Sequence, residues 1–211
     1  ADLYVDDELT ISGAGLGVAS GYTGVNSDTV TTVLTSHGST TELLAQTRTL
    51  SAGVDYSIVS YGWEGAIRSV ILTEDESAAD SGKTKVSVLN TAGDAGSLDV
   101  YLTGEDELLA SATPVASTVA GGGQSAYDAI NSGTYRLRVT AADDTDDVRL
   151  DLSGVTLASK GVVTFILTPG SGGVLVNSLM MVQGGTVTSQ MNTKARARVV
   201  AYANVGDSPT L

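Results

Sequence analysis

The sequence predicts an all-β protein of two tandem β-sandwich domains, the first lacking its opening strand. Three observations lead there. Gly occurs 25 times and aromatic residues make up only 5% of the chain, while hydrophobic residues reach 42%. With Val, Thr, Ala and Ser filling much of the rest, this composition suits short strands joined by tight turns. Polar and apolar residues alternate with period two, as half-buried strands require. The chain also repeats itself: Asp2-Leu3-Tyr4-Val5 returns as Asp99-Val100-Tyr101-Leu102, and Val18-Ala19-Ser20 as Val115-Ala116-Ser117, both 97 residues on. A period near ~100 residues marks a duplicated domain rather than a solenoid repeat.

The first copy is expected over residues 1–73, with a hairpin from Thr29 to Leu34 and from Glu42 to Thr47, turning at His37-Gly38-Ser39. Residues 74–83, opening on the acidic run Glu74-Asp75-Glu76, form the expected linker. The second copy follows over residues 84–185. Its segment Tyr135-Arg136-Leu137-Arg138-Val139 puts Tyr135, Leu137 and Val139 on one face, and Val148-Arg149-Leu150-Asp151-Leu152 alternates likewise across the polar turn Ala141 to Asp147. Thr49-Leu50-Ser51 matches Thr156-Leu157-Ala158 at an offset of 107, and the growth is assigned to a loop insertion around Gly121-Gly122-Gly123-Gln124. Tyr56-Ser57-Ile58-Val59 is laid over Thr164-Phe165-Ile166-Leu167, and Ala66 to Leu72 over Val174 to Met180.

The second copy opens with Lys85-Val86-Ser87-Val88-Leu89-Asn90 ahead of its Asp-x-Tyr motif, and no such segment precedes Asp2. Residues 186–211 are expected to hold a donor strand and loop, because Lys194-Ala195-Arg196-Ala197-Arg198-Val199-Val200-Ala201-Tyr202-Ala203-Asn204 has the character of that opening segment. Read end to end, Asp207 to Leu211 followed by Ala1 to Tyr4 runs like Asp94 to Tyr101. A sandwich short of a strand presents unpaired N–H and C=O groups and an open core. The C-terminal strand can return to its own first copy, enter that of a neighbour, or belong to a longer array. Sandwiches placed end to end favour the neighbour, and a non-closing head-to-tail contact builds a filament. The expected contact residues are Ala195, Arg196, Ala197, Arg198, Val199, Val200, Ala201, Tyr202, Ala203 and Leu211, with Ala1 on the acceptor. Either face of this strand, the alanine side or the side carrying Val200 and Tyr202, can point inward.

The formal net charge of −13 and a pI near 4.2, with only 11 Lys and Arg, argue against nucleic acid or an anionic membrane as partner. There is no Cys, so packing and backbone ladders carry the stability. No apolar run approaches the ~20 residues of a membrane-spanning helix. The chain begins Ala-Asp-Leu-Tyr, so any signal peptide is expected to have been removed, and assembly through a long apolar N-terminal helix is not expected.

No constellation of residues points to an enzyme, and no cofactor or metal is expected. His37 is the sole histidine and lies in a turn, without triad or metal-site partners in the sequence. Gly13-Ala14-Gly15-Leu16-Gly17 misplaces the third glycine of a dinucleotide loop, and Gly17-Val18-Ala19-Ser20-Gly21 puts its serine one place late for a nucleophile elbow. Asp143, Asp144, Asp146 and Asp147 are weak candidates for Ca²⁺, with a solvated hairpin tip as the simpler reading. Tyr61-Gly62-Trp63-Glu64 puts two aromatics on one loop, suited to a sugar platform or to capping a contact between the copies.

Asp99-Val100-Tyr101-Leu102, Gly133-Thr134-Tyr135-Arg136-Leu137-Arg138-Val139 and Val155-Thr156-Leu157, with Lys85 to Asn90 and Arg196 to Asn204 matching a Val/Arg-rich opening strand, resemble a bacterial cell-surface family, domain-of-unknown-function family 4397. The first copy lacks the Gly-Thr-Tyr element. The resemblance takes in both copies and implies an immunoglobulin-like sandwich on a secreted protein, with no catalytic residues. The expected function is a structural subunit of an extracellular filament or pilus-like fibre at the cell surface, self-associating head to tail by donor-strand complementation. The alternative is a monomeric cell-surface adhesion or carbohydrate-binding module.

Overall fold

The alternating segments become strands in a computed structural model that describes residues 1–15, 17–63 and 65–197. The first four, β1 (Asp2–Val5), β2 (Glu8–Ile11), β3 (Asp28–Thr35) and β4 (Glu42–Leu50), form an antiparallel sheet in the order β2-β1-β3-β4. A separate hairpin pairs β5 (Tyr56–Tyr61) with β6 (Arg68–Thr73). The rest of the chain builds a fuller sandwich. One of its sheets runs β10 (Asp128–Asn131), β7 (Lys83–Asn90), β13 (Gly161–Pro169), β14 (Val176–Val182) and β15 (Val187–Gln190). The other runs β12 (Asp144–Leu157), β11 (Gly133–Ala141), β8 (Leu98–Thr103) and β9 (Ala116–Val119). The fold is an all-β sandwich fold.

Alternation decides the faces of this second sandwich. Val86 and Val88 of β7, Val100 of β8, Leu137 and Val139 of β11, Leu150 of β12 and Phe165 of β13 are all buried in one core between its two sheets. The opposite face of the β7–β13–β14 sheet is apolar too: Leu89, Ile166 and Met181 pack against Leu72 of β6, with Val59 and Val70 beside them. The other face of the β5–β6 hairpin meets the first sheet, where Tyr56 and Ile71 pack on Val5, Val30 and Leu50. The result is four stacked β layers with the hairpin as the third. The expected end-to-end arrangement is therefore replaced by face-to-face packing, because the β7–β13–β14 sheet has two apolar faces to bury.

Strand pairing in β1–β6 recurs in β8–β14. Leu3 pairs with Leu34 and Leu34 with Leu44, as Val100 pairs with Val139 and Val139 with Leu150. Three expectations are corrected here. Ile11 pairs with Leu3 as Ala116 pairs with Val100, so β2 maps onto β9 at an offset of 105 and the Val18-Ala19-Ser20 match at 97 is fortuitous. The extra residues lie between β8 and β9, not around Gly121 to Gln124, because the β1–β2 connection is the tight turn Asp6-Asp7. The overlay of β5 on β13 is also one residue out. Gly53 (φ 75°) and Lys160 (φ 64°) hold the left-handed position of the preceding turn, 107 residues apart. That offset puts Ile58 at the place of Phe165, and a slip of one would turn every side chain to the wrong face.

The acidic linker is anchored. Gln183 and Glu76 exchange hydrogen bonds (Glu76 N to Oε1 3.2 Å, Nε2 to Glu76 O 2.8 Å), and the Gly184 amide donates to Glu74 Oε2 at 2.7 Å. Lys85 forms an ion pair with Glu76. Tyr22 donates its hydroxyl to Glu74 at 2.7 Å, and burial, with that carboxylate adding to it, pushes its pKa up to about 12.

Candidate functional site: an open strand edge

Among the described residues, the two units differ at the strand position beside β13 and β5. In the C-terminal unit β13 lies between β14 and β7, and its pairing with β7 is parallel, Val86 opposite Val163, Val88 opposite Phe165 and Asn90 opposite Leu167. In the N-terminal unit β5 pairs with β6, and among the described residues no strand lies along its other side.

The consequence for packing is direct. Val100, Val139, Leu150 and Phe165 are almost wholly excluded from solvent, whereas Leu3, Leu34, Leu44 and Ile58, which hold the same positions, are only half-buried. These four line an opening together with Thr32, Arg48, Ser60 and Ser69. Its polar wall is a network: Arg48 Nε donates to Thr32 Oγ1 at 2.9 Å and the Ser69 hydroxyl to Gln46 Oε1 at 2.7 Å, with Arg48 also bonded to Ser69. Burial holds the Arg48 pKa below its ordinary value. The corresponding positions of the C-terminal unit hold Leu137, Leu152 and Val155 in place of Thr32, Gln46 and Arg48. The N-terminal interior is thus half open and half polar where its counterpart is closed and apolar.

The end of β7 shows how a strand is locked in that position. Asn90 is fully buried; its Nδ2 donates to Gly96 O at 3.0 Å and Val119 O at 2.9 Å, and its Oδ1 accepts from the Ala92 amide at 3.0 Å. A further paired feature closes the loops beside each sheet. Asp99 takes hydrogen bonds from the amides of Thr118 and Asp143, and Asp2 takes them from Gly13 and Gly38. His37, expected to be an exposed turn residue without partners, is exposed but sets its Nδ1 2.8 Å from Asp2 Oδ1. With the Gly13 and Gly38 amides it holds the Asp2 carboxyl far below the usual range. Sequence reasoning missed this role; the signal was an Asp opening both Asp-x-Tyr motifs.

The predicted contact residues divide. Ala1 exchanges backbone hydrogen bonds with Ala14, at 2.8 Å in each direction. Ala195, Arg196 and Ala197 lie outside any strand, contrary to a donor strand beginning at Lys194. Asn192 explains why: its Nδ2 donates to Arg149 O and Val176 O, and its Oδ1 accepts from the Lys194 amide, which turns the chain across the sandwich end. Arg196 then pairs with Asp147 at 2.9 Å. Arg198, Val199, Val200, Ala201, Tyr202, Ala203 and Leu211 lie outside the described residues. The weak Ca²⁺ candidates do not converge. Asp147 is engaged by Arg149, Asp144 Oδ1 caps the Asp146 and Asp147 amides, and the Asp143 amide serves Asp99. Among the described residues no group of three or more acidic, His or Cys side chains is placed to hold an ion. Asp144 to Asp147 begin β12 rather than forming a free tip.

Trp63 stands 64% exposed beside a cleft of about 150 Å³ whose other walls include Ala92, Asp94, Pro169 and Leu175. Tyr61, the last residue of β5, reaches Gly122 of the C-terminal unit, where an added Cβ would fall 2.9 Å from its hydroxyl.

The open unit is also the part of the chain with a recognised relationship. Residues 1–101 match the family model of a domain of unknown function, DUF4397. The DUF4397 match covers β1–β7 and ends within β8, so it is narrower than the resemblance, which took in both units. No curated protein matches the chain.

Proposed function

We propose that the protein is a structural subunit of an extracellular filament or pilus-like fibre at the cell surface, polymerising head to tail by donating a strand to a neighbouring chain. The observation that carries this reading is that, among the described residues, no strand pairs with β5 on the side where β7 pairs with β13. An unpaired strand edge over a half-open core costs backbone hydrogen bonds and apolar contacts, and an added strand restores both. The DUF4397 match supports it as well: the matched span includes one β7-type strand along with β1–β6, yet here that strand serves the other sandwich. The segment after Ala197 supplies a second sequence of that type.

Negative-stain microscopy of the purified chain, with and without residues 194–211, tests the reading. Fibres from the intact chain and single particles from the shortened one are expected; single particles from both would overturn it.

Trp63 favours a second reading, a monomeric surface adhesion or carbohydrate-binding module, because an exposed indole beside a cleft suits a sugar ring. It is the only tryptophan, so its fluorescence reports directly on titration with a panel of oligosaccharides. Saturable quenching by a monomer supports this reading over the filament.

A further inference from the structure

In the C-terminal unit β7 pairs on both sides, with β13 and with β10, and the repeat shows which residues of the N-terminal unit answer to β10. Tyr22, Val25, Asn26 and Ser27 recur as Tyr127, Ile130, Asn131 and Ser132, all 105 residues on. Gly17 (φ 72°) and Gly122 (φ 79°) share the left-handed turn that opens the two segments. The same offset relates β2 to β9 and Leu34 to Val139, so the segments correspond without a gap.

In the C-terminal unit β7 holds this segment along its length. The Gly122 amide donates to Asn90 O at 2.6 Å, the Asn90 amide to Gly123 O at 3.0 Å and the Ser125 amide to Val88 O at 2.8 Å. β10 continues antiparallel, Asp128 opposite Val86 and Asn131 opposite Lys83, and Ile130 packs against the core. In the N-terminal unit residues 18–26 make no backbone-to-backbone hydrogen bond among the described residues. All are exposed, Val25 at 43% and Tyr22 at 54%. A strand needs a partner ladder, and here only one of the two segments has a β7 beside it.

Tyr22 ties the unpaired segment to β5. Its counterpart Tyr127 reaches across β7 and sets its hydroxyl 3.0 Å from Thr164 Oγ1 of β13. At the offset of 107 that relates β5 to β13, Ser57 holds the place of Thr164. Tyr22 and Ser57 both donate to the Glu74 carboxylate, one to each oxygen. Glu74 thus links the segment to the start of β5 on the face where Tyr127 is linked to β13.

We infer that residues 23–26 are the second flank of the acceptor site. They become a strand when a strand from a second copy of this chain is seated, parallel to β5 on one side and antiparallel to residues 23–26 on the other. The inference rests on the strand-donation reading and adds to it a second set of acceptor residues and their ordering. The chain's own β7 is held between β10 and β13. Arg196 is held on Asp147 of β12, and the β7–β13–β14 sheet lies between that layer and β5, so a second copy has the open path. The incoming strand gains two ladders instead of one, and Val25 comes to cover the core edge as Ile130 does.

The ladder also fixes which amides matter. The Ser132 amide donates to Gly82 O at 2.8 Å, so those of Ile130 and Asp128 face β7 while those of Ala129 and Asn131 face away. By the offset of 105, the amides of Thr23 and Val25 face the incoming strand and that of Gly24 faces away. Hydrogen exchange on polymer and monomer fractions of the full chain, separated by sedimentation, tests the flank. Exchange over residues 21–27 is expected to slow by about tenfold or more in the polymer, together with β5. In the full chain Val25→Pro, which removes a facing amide, is expected to lower the polymer fraction by about tenfold at equal concentration. Gly24→Pro is expected to leave it close to the parent. If β5 slows while residues 21–27 exchange as in the monomer, or Val25→Pro polymerises like the parent, the flank is overturned and strand donation stands. If Gly24→Pro is as damaging as Val25→Pro, the ladder is overturned. A parent that never polymerises overturns strand donation itself. Slow exchange over residues 21–27 in a chain that stays monomeric overturns the assignment to a second copy.

Discussion

Asp2 and Asp99 hold the same node in the two units: each is buried at the start of an Asp-x-Tyr strand and takes two backbone amides from the flanking segments. In the C-terminal unit both donors, Thr118 (φ 51°) and Asp143 (φ 60°), are non-glycine residues in the left-handed region. The carboxylate thus helps to hold a backbone shape that L-residues rarely adopt. Asp99→Ala leaves two amides without an acceptor and is expected to cost about 2–4 kcal/mol. Chemical denaturation followed by circular dichroism measures it; an unchanged midpoint would remove the node from the account.

Acid should unfold the protein through its carboxylates. The Asp2 carboxyl is held low by His37 and the Gly13 and Gly38 amides, Asp147 by Arg149, and Asp151 by Arg136. A depressed folded-state pKa contributes stability that is present above the unfolded carboxylate value, near ~4, and is lost as pH falls through the folded value. Stability should therefore hold between pH 7 and 5 and drop steeply below about 4. Replacing His37 with Gln should raise the pH of the acid transition. Urea midpoints collected across this range provide the check, and a profile flat to pH 3 would contradict it.

The β11 strand was legible from its alternation: Tyr135, Leu137 and Val139 alternate with Arg136 and Arg138, and β11 follows them. The β5 segment was legible as a strand but not in its facing. Ile58 looks toward the first sheet while Val59 looks toward the second sandwich, so both sides are apolar and alternation vanishes. The stacking of the units was hidden for the same reason, since Leu89 and Ile166 read as part of continuous apolar runs. The Asp2–His37 contact spans 35 positions, and no local pattern announces it. The polar wall around Arg48 emerged only from cross-strand register.

The face-to-face packing is expected to couple the unfolding of the two units. Leu72, 4% exposed, is the buried residue that β6 presents to Leu89, Ile166 and Met181. Leu72→Ala should cost about 2–5 kcal/mol. It should also separate the melting of the N-terminal unit from that of the larger sandwich. Scanning calorimetry distinguishes the outcomes: a split or early shoulder is expected, and a single unshifted transition would argue that the hairpin does not couple the layers.

The central claim is that the place beside β5 is filled by another chain. Sedimentation velocity over a wide concentration range measures this most directly, on the intact chain and on one lacking residues 194–211. The account predicts species that grow with concentration for the intact chain and a monomer for the shortened one. An intact chain that stays monomeric at every concentration, with the same fold and stability after shortening, would contradict it.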